Sequence, residues 1–212
     1  MGRKSELINL LEGYKKQYAA LQKQVAETRS STAYTEEGRS QRIAKLVDGF
    51  ASTAEQCHDR AAGLVEAALA AMSEKWRQGS TGKIQDAGYQ AGLANTIKML
   101  EMGAVREKED IQNIIDSFTG DFNALAVIRK VLERSSDEEL AALAALVPKD
   151  NREYSRRLLG QLKTNMDRDI STQAARDALY SQYNQDFDPV PMGIEGMLQF
   201  IIDRLNDNLE LL

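Results

Sequence analysis

Apolar residues recur along the start of the chain at alternating intervals of four and three positions. They form a seam, which we call the front seam, and it consists of Leu7, Leu11, Tyr14, Tyr18, Leu21 and Val25. This spacing is the heptad rhythm of a helix that packs along one narrow face. It predicts a first helix over about residues 4 to 29, which a cluster of small and polar residues at 30 to 34 then ends.

A second apolar seam with the same rhythm predicts a much longer helix. Its first positions are Ile43, Val47 and Phe50. Thr35 supplies an N-cap ahead of two glutamates, so we expect this helix over about residues 36 to 78. At about 1.5 Å per residue the second helix is roughly 64 Å long and the first roughly 39 Å. A hairpin of the two therefore leaves part of the longer helix without cover.

Shorter elements with clear punctuation follow the linker Gly79-Ser80-Thr81-Gly82, and all three prolines lie beyond residue 147. Caps and apolar spacing predict helices from Asp86 to Met102, over 107 to 118, after Asp121, from a Ser136 and Glu139 capping box to Leu146, after Asp150, over 172 to 184, and from Ile194 to Leu212. No segment alternates with period two, so no sheet is expected. The predicted fold is all-α, with a long N-terminal antiparallel helical hairpin, coiled-coil-like, over residues 1–79 and a compact multi-helix domain over residues 83–212.

The length of the two front helices predicts a surface for self-association. Leu198, Ile201 and Leu205 on the last helix are further candidate interaction residues, although an apolar stripe on one helix is more often core than partner surface. The front seam and the first positions of the second seam are stronger candidates for partner contact, because an isolated hairpin cannot cover them. We therefore predict an oligomer that uses these residues, and burial of the whole seam within one chain would remove the reason for it.

Composition narrows the classes of function. The chain has 212 residues, a formal net charge of -5, one histidine (His58) and one cysteine (Cys57), which leaves little material for histidine catalysis or a transition-metal site. We expect no enzymatic activity, no cofactor and no metal. A single cysteine, no signal-peptide pattern at the start and no apolar run near the roughly 20 residues that span a bilayer predict a cytoplasmic protein without a membrane partner. The mild net acidity makes a nucleic-acid partner an unfavoured choice.

Charge is distributed unevenly between the two ends of the chain. Residues 1 to 30 carry six Lys or Arg against three Glu, a net +3, whereas residues 171 to 212 carry two Arg against seven acids, a net -5. The two ends can attract each other within one chain or between chains. The sequence leaves both alternatives open.

Three clusters resemble chemical sites but are better explained as structure. Gly79-Ser80-Thr81-Gly82-Lys83 lacks the first glycine, the final Ser or Thr and the preceding strand of a phosphate-binding loop. Asp186 and Asp188 lack the further oxygens of a calcium loop. The arginines Arg152, Arg156 and Arg157 lie among acids, as in a mixed surface.

Cys57 and His58 are adjacent in the long second helix, where neighbouring side chains point in different directions. A cysteine nucleophile needs a base that faces it. We therefore expect Cys57 to be a small buried residue and His58 a surface imidazole.

Two segments resemble uncharacterised helical proteins of bacteriophage and prophage structural gene clusters. They are Tyr34-Thr35-Glu36-Glu37-Gly38, ahead of the long helix, and Asp86-Ala87-Gly88-Tyr89-Gln90-Ala91-Gly92-Leu93-Ala94-Asn95. The resemblance implies a role in the virion or its assembly, with capsid or other virion proteins as partners. Scaffolding proteins typically have a basic C-terminal helix and this end is acidic, which leaves a head accessory, neck or decoration role. The alternative is a binding module or regulator, such as a phage-encoded inhibitor of a host protein.

Overall fold

The computed structural model describes residues 2 to 171, 173 and 192 to 210. Within these ranges the secondary structure is helical and contains no strand, so the predicted all-α class is confirmed. The α-helices are α1 Arg3–Ser30, α2 Glu36–Gly79, α3 Ala87–Glu101, α4 Lys108–Ser117, α5 Phe122–Glu133, α6 Glu138–Ala142, α7 Arg152–Asp169 and α8 Met192–Arg204. Short 3-10 helices lie at Thr81–Lys83 and Leu143–Leu146. None of the described helices is both long enough and apolar enough to cross a bilayer.

Side-chain caps explain where several helices begin. The Thr35 hydroxyl accepts a hydrogen bond from the Gly38 amide at 3.2 Å, and the Asp86 carboxylate accepts from the Tyr89 amide at 3.0 Å. Asp121 likewise accepts from two amides in the first turn of α5. These bonds satisfy amides that have no partner inside the helix, which is why the predicted starts of α2, α3 and α5 agree with the structure.

The chain forms two compact units, which we call unit 1 and unit 2. Unit 1 comprises Met1–Leu69 with Tyr154–Leu212, and unit 2 is Ala70–Glu153. The sequence placed the boundary between residues 79 and 83 and assigned everything behind it to one domain. The difference arises because α7 and α8 join the front helices, whose apolar faces need further helices to cover them.

Unit 1 is an antiparallel four-helix bundle of α1, α2, α7 and α8. One pair marks each interface between neighbours: Tyr14 with Phe50 for α1 and α2, Glu66 with Lys163 for α2 and α7, Asp169 with Gly193 for α7 and α8, and Glu195 with Lys15 for α8 and α1. The basic front of the chain thus meets an acidic residue of its own C-terminal region. This ion pair is a contact between the two oppositely charged ends within one chain.

The last helix ends earlier than the sequence predicted. We expected it to continue to Leu212, but α8 ends at Arg204 and Leu209 adopts a φ of 66°. The ammonium of Lys4 donates to the carbonyl oxygens of Ile202 at 2.9 Å and Leu205 at 2.7 Å. These bonds take up carbonyls at the end of α8, and the turn that follows still buries Leu205 and Leu209.

Unit 2 has its own hydrophobic core, built from α3 to α6 and the segments between them. Its buried members are Leu100, Val105, Ile111, Ile115, Phe118, Ala124, Leu125, Ile128, Leu132, Leu140, Ala144 and Val147. The predicted capping box of Ser136 and Glu139 is wrong, because the carboxylate of Asp137 accepts from the Glu139 and Leu140 amides instead. The aspartate one position later starts α6, which passes into the 3-10 helix Leu143–Leu146.

Two predictions fall on residues that the structure does not describe. The expected helix over residues 172 to 184 lies outside the described residues except for residue 173, and Asp186 and Asp188 lie outside them altogether.

Candidate protein-binding site

The residues predicted to mediate self-association lie in the interior of unit 1. The buried ones are Leu7, Leu11, Tyr14, Tyr18, Leu21, Val25, Ile43, Val47, Phe50, Ile201 and Leu205. Leu198 is half-buried. The helices of the same chain therefore cover the front seam, and the argument for an oligomer based on an uncovered seam fails.

Aromatic rings form the middle of the contact between α1 and α2. The ring centroids of Tyr14 and Tyr18 lie 5.6 and 6.0 Å from that of Phe50, distances typical of favourable aromatic pairs. Burial raises the pKa of the Tyr18 hydroxyl to about 12 and also raises the pKa of the Tyr14 hydroxyl. The Tyr14 hydroxyl is buried and has no hydrogen-bond partner among the described residues. This arrangement serves packing rather than chemistry.

Cys57 and His58 are neighbours in sequence, but their side chains lie in different environments. Cys57 is buried, and this burial raises the pKa of its thiol to about 11, so the thiol is protonated at neutral pH. Both ring nitrogens of His58 instead lie near carboxylates, Nε2 at 2.8 Å from Asp167 and Nδ1 at 3.1 Å from Asp59. The structure does not aim the imidazole at the thiol, as a nucleophile and its base require.

Gly79 and Lys83, at the two ends of the glycine-rich segment that begins at the end of α2, pack against other parts of unit 2. A Cβ atom at Gly79 would lie 2.4 Å from the carbonyl oxygen of Gly120, so α2 and the turn before α5 touch through their backbones. The ammonium of Lys83 lies 4.7 Å from the centroid of the Tyr89 ring. This lysine packs on an aromatic face, and the segment has no geometry of a phosphate-binding loop.

The candidate arginines are also engaged with neighbours. The guanidinium of Arg152 bonds the Asp150 carboxylate at 2.6 Å and lies 5.0 Å from the centre of the Phe122 ring. The Arg157 guanidinium lies 5.5 Å from the Tyr154 ring. These contacts describe the mixed surface that the sequence predicted.

A groove of about 540 Å³ opens in unit 2 beside the C-terminal ends of α3 and α5. The two helices run in the same direction, since the Tyr89 hydroxyl donates to Asp121 near their N-terminal ends at 2.8 Å and both C-terminal ends line the groove. The lining residues are Ile97, Leu100, Glu101, Met102, Gly103, Arg106, Val127, Lys130, Val131, Arg134, Ser135, Ser136, Asp137 and Leu140. We call this feature the unit 2 groove.

Large apolar side chains at the unit 2 groove face solvent. Met102 is 67% exposed and Val127 is 42% exposed, while the buried Leu100 and Leu140 belong to the floor. Met99, one helical turn before Met102, is exposed as well. Scattered apolar side chains are normal on a protein surface, whereas a cluster of exposed apolar side chains rimmed by polar groups is typical of binding sites.

One face of α5 supplies both apolar and cationic groups to the groove. Val127, Lys130, Val131 and Arg134 follow one another at intervals of three, one and three residues, which places them on the same side of the helix. The opposite side carries the buried Leu125, Ile128 and Leu132. Helix α5 therefore has a core face and a second, exposed face at the groove.

Charges in the unit 2 groove are positive in balance. Three cations, Arg106, Lys130 and Arg134, line it with two acids, Glu101 and Asp137. The Arg106 guanidinium donates to the Gly103 carbonyl at 2.9 Å and lies 3.9 Å from the Asp137 carboxylate.

Sequence reasoning missed this groove because it looked for the buried side of each helix. The helical spacing of Leu125, Ile128 and Leu132 after Asp121 predicts the core side of this helix and says nothing about its other side. The signal that could have found the groove is the second apolar pair, Val127 and Val131, which falls outside that core spacing.

The described residues contain no group of three or more His, Cys, Asp or Glu side chains placed to hold a metal ion. The segments Tyr34–Gly38 and Asp86–Asn95 lie at helix starts, where Thr35 and Asp86 act as caps. No family model, curated protein or solved structure matches this chain.

Proposed function

We propose that this protein is a non-enzymatic assembly protein of a bacteriophage, associated with the virion as a head accessory, neck or decoration protein. It joins a larger partner through the unit 2 groove. The single observation that carries the proposal is this groove, where exposed Met102 and Val127 lie over an apolar floor. The resemblance of the segments Tyr34–Gly38 and Asp86–Asn95 to phage structural proteins directs the choice of partner.

Self-association through the front seam is no part of this proposal. Leu11 and the residues around it hold the helices of unit 1 together, so they offer nothing to a second copy. Light scattering of the isolated chain is expected to give a mass near the 23.6 kDa of one chain. A stable multimer that the substitution Val127→Asp dissociates would show that the groove binds a second copy instead.

The decisive experiment is mass spectrometry of purified phage particles from the source organism. The proposal predicts this chain in the particles at a fixed ratio to the major capsid protein, and loss of the chain from particles when it carries Val127→Asp. A matched substitution at an exposed site of unit 1, Gln17→Asp, is expected to leave incorporation unchanged. Particles that lack the chain, together with a stoichiometric complex with a host protein, would instead support the binding module or inhibitor.

A further inference from the structure

We infer that the unit 2 groove binds an acidic amphipathic helix of the partner protein, with one apolar side chain of that helix inserted between α3 and α5. This inference rests on the proposed function, because it names the chemistry by which the assembly protein recognises its partner. It follows from the shape of the groove, from its apolar lining and from two cations on α5 that form no ion pair with any described residue.

The shape favours a helix. The groove lies between two helices that run in the same direction, and its walls are side chains one turn apart on each of them. Such a groove fits the face of a third helix, whose anchors recur every three or four residues. An extended segment would need an exposed strand edge, and the described part of the chain has no strand.

The apolar lining requires an apolar anchor. Leu100 and Leu140 are buried and Val131 is half-buried at the groove, while Met102 is exposed there. A methionine side chain is flexible and polarisable, so it adapts to the shape of an inserted leucine or aromatic group. Burial of such an anchor in the centre of an interface commonly supplies most of the binding free energy.

The charges select an acidic partner. The side chains of Lys130 and Arg134 form no ion pair with any described residue, and they lie on the same face of α5 as the two valines. Of the acids in the groove, Asp137 already accepts the Glu139 and Leu140 amides as the cap of α6. Glu101 is the remaining acid in the groove, and Lys130 and Arg134 form no ion pair with it or with any other described residue, so carboxylates on the bound helix would pair with them.

The test measures binding of a designed peptide by fluorescence anisotropy. The probe is a labelled amphipathic helix of about 15 residues with leucines along one face and glutamates beside them. A second peptide replaces every glutamate with lysine, and a third replaces them with glutamine. We expect the glutamate peptide to bind wild-type protein at least about tenfold more tightly than either of the others.

Charge-reversed variants locate the binding. Lys130→Glu combined with Arg134→Glu is expected to weaken binding of the glutamate peptide at least about tenfold. The matched control reverses Lys108 and Lys149 to glutamate, which gives the same net charge at exposed sites of unit 2 away from the groove. The control is expected to bind within about twofold of wild type. All four lysines and arginines are exposed, so circular dichroism is expected to show unchanged helix content in both variants.

Three results would overturn the inference: no binding of the glutamate peptide, equal binding of the lysine peptide, or equal loss in the groove and control variants. The particle experiment separates this failure from failure of the proposed function. If Val127→Asp abolishes incorporation while the glutamate peptide does not bind, the assembly role stands and the acidic helix is rejected. If the glutamate peptide binds at the groove but the particles lack the chain, the peptide chemistry stands and the virion role is rejected.

Discussion

The imidazole of His58 joins α2 to α7 through the carboxylate of Asp167, with 2.8 Å between Nε2 and Oδ1. The other ring nitrogen lies 3.1 Å from Asp59 on the same helix as the histidine. Hydrogen bonds to these two carboxylates raise the pKa of His58, Asp167 being the larger cause. Both ring nitrogens can donate only when the imidazole is protonated.

This contact predicts a pH-dependent contribution to the stability of unit 1. The pKa of His58 is higher in the folded chain than in the unfolded chain, so its stabilisation is complete below the unfolded value and is lost as pH rises through the folded value. We expect His58→Gln to lower the free energy of unfolding by about 0.5 kcal/mol at pH near 5.5 and by less at pH near 8.5, because the pair is partly exposed. Urea unfolding at both pH values measures the difference.

The ion pair between Glu66 and Lys163 provides the control, since it joins the same two helices without histidine. Glu66→Gln is expected to cost a similar free energy at both pH values. A histidine variant whose deficit stays constant, or grows, as pH rises would contradict the assignment.

The backbones of Gly79 and Gly120 are in contact, so Gly79→Ala is expected to change the stability of unit 2 in the opposite direction from Gly92→Ala, which replaces an exposed glycine. A Cβ atom at Gly79 would come within 2.4 Å of the Gly120 carbonyl oxygen, whereas a Cβ atom at Gly92 would have no heavy atom within 4 Å. Gly79→Ala is therefore expected to destabilise unit 2 by about 1 to 3 kcal/mol through overpacking. Gly92→Ala lies inside α3 and is expected to stabilise it by about 0.5 to 1 kcal/mol.

Thermal unfolding followed by circular dichroism distinguishes the two alanines by the direction of the change in Tm. A stabilising Gly79→Ala would show that α2 does not approach the turn at Gly120 as closely as described.

Helix starts were predictable from the sequence because they depend on local chemistry. Thr35, Asp86 and Asp121 each satisfy amides two or three residues ahead, and such bonds need nothing from the rest of the fold. The core positions of α1 were predictable for a similar reason, since apolar residues at helical spacing must be buried against something.

The covering partner of each helix was not predictable in the same way. The seam at Leu11 and Leu21 shows that a face is buried, but the same pattern fits a second copy or a distant helix of the same chain. The choice depends on contacts such as Lys4 with the carbonyl of Leu205, which join residues from the two ends of the chain. The heptad pattern alone therefore predicts an uncovered hairpin where the structure has a four-helix bundle.

Shortening a buried side chain of the front seam is expected to destabilise unit 1 without changing the mass that the protein shows in solution. Leu11 is fully buried in unit 1, so Leu11→Ala is expected to lower the free energy of unfolding by about 2 to 5 kcal/mol. Its neighbour Leu10 is only half-buried, and Leu10→Ala is expected to cost clearly less. Urea unfolding gives both values, and light scattering checks the mass. If the Leu11→Ala variant is as stable as wild type but has a different mass by light scattering, the front seam forms a contact between chains.

The hydroxyl of Tyr89 has a hydrogen-bond partner and that of Tyr14 has none among the described residues, so replacing each tyrosine with phenylalanine is expected to change stability in opposite directions. The Tyr89 hydroxyl donates to the Asp121 carboxylate at 2.8 Å, and Asp121 is buried while also capping α5. Tyr89→Phe removes a bond to a buried charge and is expected to cost about 1.5 to 3 kcal/mol. The Tyr14 hydroxyl is buried and has no hydrogen-bond partner in the described part of the chain, so Tyr14→Phe removes an unsatisfied group and is expected to be neutral or stabilising by about 1 kcal/mol.

Both substitutions delete one oxygen atom and leave the ring in place, so packing changes little and the hydrogen bond decides the sign. The Tm of each variant against wild type is the measurement. Because burial raises the pKa of both hydroxyls, neither ionises near neutral pH, and the signs are expected to hold there. If Tyr14→Phe destabilises the chain as much as Tyr89→Phe, the Tyr14 hydroxyl has a bonding partner in solution and the interior of unit 1 holds a polar group or water at that position.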